Sequence, residues 1–274
     1  MSQVRIFNET DELYRAAAER IAHLSQLAVA REGRFALLLA GGNTPRRLYA
    51  LLASPNYSIH IDWANTHLFW GDERAVPLSD PKSNYRMVSE TLLSRVAVPW
   101  QNIHRIEGEL PPEEAAERYE EELRQFFQTS RLRISSPRDE IQNPQSEIRN
   151  SVGPAQPEGY ATFDLALLGL GADGHTASLF PGSPALQETA RLAVAVPEAD
   201  PPRVTLTFPA LNACAEVLFL VAGAAKAPAL AAVLEGPPDL VPPAGRVRPE
   251  QGEVLWLVDR AAAALLQQRS HSNE

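Results

Sequence analysis

Asp173 and His175 stand two residues apart in a stretch that carries glycines at 169, 171 and 174, directly after the apolar run Leu165 to Leu168. An imidazole titrates near pH ~6.5 and can move a proton around neutrality, a nearby carboxylate can orient it, and exposed glycine amides favour an anion or a developing oxyanion. Asp72 and Arg74 form a second charged group, in Gly71-Asp-Glu-Arg74 after the run Thr66 to Trp70. The bland alternative for that group is a solvated loop. A third candidate is Gly41-Gly42-Asn43-Thr44, a strand-to-helix turn whose exposed amides suit a phosphate, with an ordinary capped turn as the alternative. Two cations complete the set, Arg203 at the start of a strand and Lys226 at the start of a helix. A lysine at that helix end is electrostatically disfavoured unless something negative binds nearby.

The spacing Gly169-x-Gly171-x-x-Gly174, with Glu198 after the next candidate strand, also matches a dinucleotide fingerprint. That fold needs the third glycine to open a long crossover helix, and Phe180-Pro-Gly-Ser-Pro184 interrupts the segment within about two turns. No nicotinamide or flavin is therefore expected. A purely structural glycine turn is the other alternative to a catalytic loop.

These residues have to be held by an alternation of strands and helices. Thr10-Asp-Glu opens a helix with an apolar stripe at Leu13, Ala17, Ile21, Leu24 and Ala28, ending at Gly33 and placed before the first strand. Phe35 to Ala40, Leu165 to Leu168 and Glu216 to Ala222 read as buried strands, because they are continuous apolar runs too short for helices. Thr66 to Trp70, Leu192 to Val196, Arg203 to Phe208 and Val254 to Val258 add further strands. Helices are expected at Pro45 to Ala53, with Thr44 as cap and Pro45 at the first helical position, and at Asn84 to Val96, Glu113 to Ser130 and Asp259 to Gln268. The pattern predicts an α/β fold: an open, mostly parallel sheet with helices on both faces. Residues 131–160 are polar, proline-bearing and aperiodic, and read as a flexible insertion into a single domain spanning 1–274.

Composition excludes several classes. A 274-residue chain with 45% hydrophobic residues can bury a substantial core. The net charge of −9, from 25 basic and 34 acidic residues, argues against a nucleic-acid surface, so any phosphate must be held by local cations. No run approaches the ~20 apolar residues of a membrane span, and the start of the chain lacks a secretory design. A soluble cytoplasmic protein, a monomer or weak homodimer, is expected. The single Cys214 allows no internal disulfide and no Cys/His cluster has zinc spacing; Asp72, Asp173 and His175 are of types that ligate a divalent ion, but a carboxylate beside a histidine more often orients it, so no metal and no cofactor are expected.

Gly41-Gly-Asn-Thr-Pro45, Trp70-Gly-Asp-Glu-Arg-Ala-Val-Pro77 with Ser83-Asn-Tyr85, Leu168-Gly-Leu-Gly-Ala-Asp-Gly-His-Thr-Ala-Ser-Leu-Phe-Pro181, Arg203-Val-Thr-Leu-Thr and Gly223-x-x-Lys226 together resemble the 6-phosphogluconolactonases. The resemblance spans about residues 35 to 235, with 131–160 departing from the compact family pattern. It implies a Rossmann-like fold and hydrolysis of a small sugar-phosphate lactone, with His175 as base, Asp173 or Asp72 orienting it, and Arg74 or loop amides meeting the oxyanion. Gly41, Gly42, Asn43, Thr44, Arg203 and Lys226 would hold the 6-phosphate. Glucosamine-6-phosphate deaminases share the Gly-x-Asp-Gly-His core but typically continue into Phe-Asn-Glu-Pro, where this chain has Ser178-Leu-Phe-Pro181. A serine nucleophile at Ser178 lacks the Gly-x-Ser-x-Gly elbow. A sugar-phosphate sensor lacks an added DNA-binding helix-turn-helix here.

Overall fold

Continuous apolar runs form the centre of the molecule, because each Val, Leu or Phe side chain taken fully out of water contributes about 1.5–3 kcal/mol. The structure, a computed structural model, describes residues 2–135 and 163–267. The strands are β1 (Ser2–Phe7), β2 (Phe35–Leu39), β3 (Thr66–Trp70), β4 (Asp72–Arg74), β5 (Ile103–His104), β6 (Leu165–Leu168), β7 (Ala193–Val196), β8 (Arg203–Leu206), β9 (Glu216–Val221) and β10 (Glu253–Asp259). The helices are α1 (Thr10–Glu32), α2 (Asn43–Leu52), α3 (Pro55–Ser58), α4 (Asn84–Val88), α5 (Pro112–Ser135), α6 (Phe208–Leu211) and α7 (Ala227–Glu235).

Seven strands form one parallel sheet in the order β1-β10-β9-β6-β2-β3-β5. Every residue of β2, β6 and β9 is buried, as expected of parallel strands covered on both faces. Helix α1 packs against β1, β2 and β10 through Leu13, Ala17, Ile21 and Ala28, and ends at Gly33 in the left-handed region. From β2 the chain steps outward to β3 and β5, then returns to the opposite side of β2 with β6 and continues to β9. The order thus reverses between β2 and β6, and the crevice outside their carboxyl ends is where an open α/β sheet binds ligands.

A second sheet, β4-β8-β7, is antiparallel and was not anticipated from the sequence. Gly71 joins the two sheets: its N–H donates to the Leu39 carbonyl at 2.9 Å, and its own carbonyl accepts the Leu206 N–H at 2.8 Å. The charged run after Trp70 is therefore a strand, not a solvated loop.

Other expectations need correction. A strand, β1, precedes the first helix; it is an exposed edge strand held by its ladder with β10, so its side chains carry little apolar signal. Gly42, not Thr44, caps α2, which puts Pro45 at its third position. The helix expected over 84–96 is the short α4 followed by a π-helical turn, Ser89–Leu93. The helix expected from Asp259 is not found: Asp259 ends β10, its carboxylate accepts the N–H groups of Gly223 and Ala262, and residues 260–266 form turns. The expected insertion overlaps α5, which continues through Ser135, and residues 136–162 lie outside the described residues.

Candidate active site

The ends of β2 and β3 are fixed in the same way. The buried Tyr49 hydroxyl, from α2, accepts the N–H of Ala40 at 2.9 Å and donates to its carbonyl at 2.8 Å. The buried Tyr119 hydroxyl, from α5, treats Trp70 likewise at 3.0 and 2.9 Å. Beyond these clamped ends lies a cleft of about 200 Å³ lined by Ala40, Asp72, Gly169, His175, Thr176 and Lys226, among others. Three of the residues singled out in the sequence, Asp72, His175 and Lys226, therefore meet there.

His175 is held by its own loop. Its Nδ1 lies 2.6 Å from Asp173 Oδ1, and the same oxygen accepts the His175 main-chain N–H at 3.1 Å. Partial burial works against the charged carboxylate, but the bonds from the His175 backbone and ring outweigh it and hold Asp173 below the usual range. A carboxylate on Nδ1 fixes the proton there, so the neutral ring keeps its lone pair on Nε2. Gly171 makes this pairing possible: a Cβ on it would lie 2.1 Å from His175 Nδ1 and 2.5 Å from Asp173 Oδ1. Phe180 packs on the imidazole with ring centroids 4.5 Å apart, and Arg203 lies over the same phenyl ring.

Asp72 is buried and triply held. Ser178 Oγ donates to it at 2.6 Å, Asn84 Nδ2 stands 3.4 Å from Oδ1, and Arg203 Nη1 is 3.5 Å from Oδ2. Ser178 is itself fully buried, with its N–H on Thr205 Oγ1, so its hydroxyl orients a carboxylate. Sequence reasoning missed Ser178 and Asn84 as partners of Asp72, and Thr205 as the support behind Ser178, although all three lie within the motifs quoted above.

Arg74 and Arg203 stand outside the cleft lining and face each other across the β4–β8 ladder. Like charges placed opposite disfavour one another. Burial and then Arg74 pull the Arg203 guanidinium below its ordinary value, against the attraction of Asp72. The buried Nε of each arginine has no hydrogen-bond partner among the described residues, and an anion beside the pair would relieve both defects. Arg74 Nη1 donates to the Lys82 carbonyl. Gly41 to Thr44 also lie outside the lining, at the start of α2, which has no side-chain cap and no acidic residue in its first turn. Its leading N–H groups have no partners within the helix.

Glu73, between the two charged candidates, is structural. Its carboxylate, 2% exposed, accepts the N–H groups of Arg74, Asn84 and Tyr85 at 2.7, 2.8 and 2.7 Å and the Ser83 hydroxyl at 3.1 Å. Burial pushes its pKa above 4.5 despite these donors. Glu73→Gln is expected to destabilise the fold by roughly 2–4 kcal/mol, because the amide NH2 it introduces cannot accept the buried donors that now end on the carboxyl oxygens. For an acid with a raised folded-state pKa, the native state binds more protons, so that contribution is present at low pH and lost as pH rises through the raised value. The deficit of Glu73→Gln should accordingly be larger near pH 4.5 than near pH 8 in paired urea melts; a deficit that grew with pH would reverse the sign of this account.

Residues 8–256 match the family described as glucosamine-6-phosphate isomerases/6-phosphogluconolactonase. The chain is 36% identical to 6-phosphogluconolactonase 3, chloroplastic, of Arabidopsis thaliana over 96% of its length and 75% of that protein. It is 38% identical to the 6-phosphogluconolactonase of a Nostoc species over 87% of its length and 88% of that protein. The crystal structure of 6-phosphogluconolactonase from Thermotoga maritima superposes with a TM-score of 0.73 at 31% identity, covering 95% of this chain and 100% of that one. With its parallel sheet, its strand-order reversal at β2/β6 and its histidine loop at that point, the chain belongs to the glucosamine-6-phosphate isomerase/6-phosphogluconolactonase family.

Proposed function

We propose that the protein hydrolyses 6-phospho-D-glucono-1,5-lactone to 6-phosphogluconate, the second step of the oxidative pentose phosphate pathway. The observation that carries this reading is the Asp173-bound His175 in one cleft with Asp72 and Lys226. The Nε2 lone pair of His175 takes a proton from water as the water oxygen attacks C1. The tetrahedral oxyanion meets the glycine-rich loop amides or Arg74. Collapse breaks the bond between C1 and the ring oxygen, and the imidazolium returns its proton to that oxygen, giving the open-chain acid. Gly41, Gly42, Asn43, Thr44, Arg203 and Lys226 hold the 6-phosphate. The deaminase reading needs a further carboxylate in the histidine loop, and the residues at that place are Leu179, which is buried, and Phe180, which packs on His175.

The test is proton release from freshly generated lactone, corrected for spontaneous hydrolysis; no acceleration by the wild type would sink the proposal. Lys226→Ala is expected to raise KM by about tenfold or more with a smaller change in kcat, as for loss of a charge-assisted contact made equally in ground and transition states. Unchanged KM with abolished turnover would instead put Lys226 at the reacting end.

The contiguous core supports reading residues 1–274 as one domain. A cytoplasmic monomer or weak homodimer that binds neither nucleic acid nor membrane fits the acidic chain. Among the described residues, no helix is long and apolar enough to cross a membrane.

A further inference from the structure

We propose that Asn84 is a positioning residue that couples the loop after β2 to Asp72, so that occupancy of the phosphate end of the cleft is felt at the reacting end. The inference rests on the proposed lactonase reading. Asn84 is 1% exposed and sits between Gly41, in the loop after β2, and Asp72, at the start of β4. Its Nδ2 donates to the main-chain carbonyl of Asp72 at 2.8 Å and stands 3.4 Å from Asp72 Oδ1. Its other side faces Gly41: a Cβ there would lie 2.0 Å from Asn84 Oδ1, 2.4 Å from Cγ and 2.6 Å from Nδ2. Gly41 is not among the glycines with positive φ, so the absence of its side chain serves this contact and not a backbone turn. Asn84 has no slack of its own, because its N–H is held by Glu73 at 2.8 Å.

A loop that shifts when its amides take up a phosphate therefore pushes on Asn84, and Asn84 moves with Asp72. Binding energy from a remote, unreacting part of a substrate can be spent at the reacting atoms, and such a link transmits it through the protein. In the wild type, the phosphorylated lactone should be turned over faster than the same δ-lactone without its phosphate. Removing the link should erode that advantage in kcat.

The experiment compares kcat and KM for 6-phosphogluconolactone and for unphosphorylated glucono-1,5-lactone in wild type, Asn84→Ala, Gly41→Ala and the double variant, with a melting temperature for each. In Asn84→Ala, the kcat ratio of phosphorylated to unphosphorylated lactone should fall by about tenfold, the scale of a modest coupling between two sites. Gly41→Ala should lower the same ratio by displacing Asn84. Adding Asn84→Ala should restore most of the melting temperature lost in Gly41→Ala, since the space is then open, but should leave the ratio low. Equal losses on both lactones in Asn84→Ala would mark mere structural damage and overturn the coupling, as would an unchanged ratio. Failure of the wild type on the phosphorylated lactone would remove the proposed function instead. The melting cycle remains readable in that case, and additive shifts would overturn the Gly41–Asn84 link independently.

Discussion

Replacing His175 with asparagine should slow enzymatic lactone hydrolysis by about 10²- to 10⁴-fold, the usual contribution of one positioned base. Asparagine can still donate to Asp173 Oδ1, which now bonds the ring at 2.6 Å, so the loop keeps its anchor while losing the only imidazole that lines the cleft among the described residues. The ring is not part of the buried core, so the melting temperature should move little. The decisive figure is the catalysed rate after subtraction of spontaneous hydrolysis. A variant within a few-fold of wild type would take the base role away from His175 and direct attention to Asp72, the other titratable acid of the cleft.

The second large effect is expected from a residue with no chemistry. Gly171→Ala would place a methyl carbon 2.1 Å from His175 Nδ1, 2.4 Å from Cε1 and 2.5 Å from Asp173 Oδ1, all far inside van der Waals contact. The colliding atoms belong to side chains, so the imidazole can swing outward at modest cost to the fold. Displacing a catalytic group by about 1 Å costs on the order of 10²-fold in rate. Activity should therefore fall by about that factor with a nearly normal urea midpoint. A fully active Gly171→Ala would mean that the Asp173–His175 geometry does not limit turnover.

The buried strands were legible because each is a continuous apolar run, as in Phe35–Leu39 and Glu216–Val221, and such a run on a parallel sheet has few alternatives. Strand β1 was missed for the opposite reason: its residues face solvent, and only main-chain pairing with β10 makes them a strand. Strand β4 hid among charges, since Asp72 and Glu73 are buried by partners that come from elsewhere in the chain. The same distinction divides the site. Asp173 and His175 stand two residues apart, so both were visible as candidates, but whether Asp173 or Asp72 orients the ring stayed open until the 2.6 Å contact was seen. Asp72 meets Ser178, 106 residues away, only after two sheets have formed, and nothing local in either segment announces the bond. Lys226 could be placed because a cation at a helix start is an anomaly. Asn84 was visible within a motif, but its task depends on the missing Cβ of Gly41, 43 positions earlier.

The pairing of β1 with β10 bears on how the molecule assembles. Ser2 lies opposite Val254 and Phe7 opposite Asp259, so β1 has no partner to pair with until a segment about 250 residues further along the chain arrives. Contacts between such distant segments close the largest loops and form late. Thr10 at the head of α1 bonds the Asp259 carboxylate, which also takes the Gly223 N–H ahead of Lys226. The turn bearing that lysine is thus fastened to an element whose own docking spans that whole separation. A nascent chain could acquire much of its core while the lysine turn is still loose, and competence to bind would arrive only with the pairing of β1 and β10.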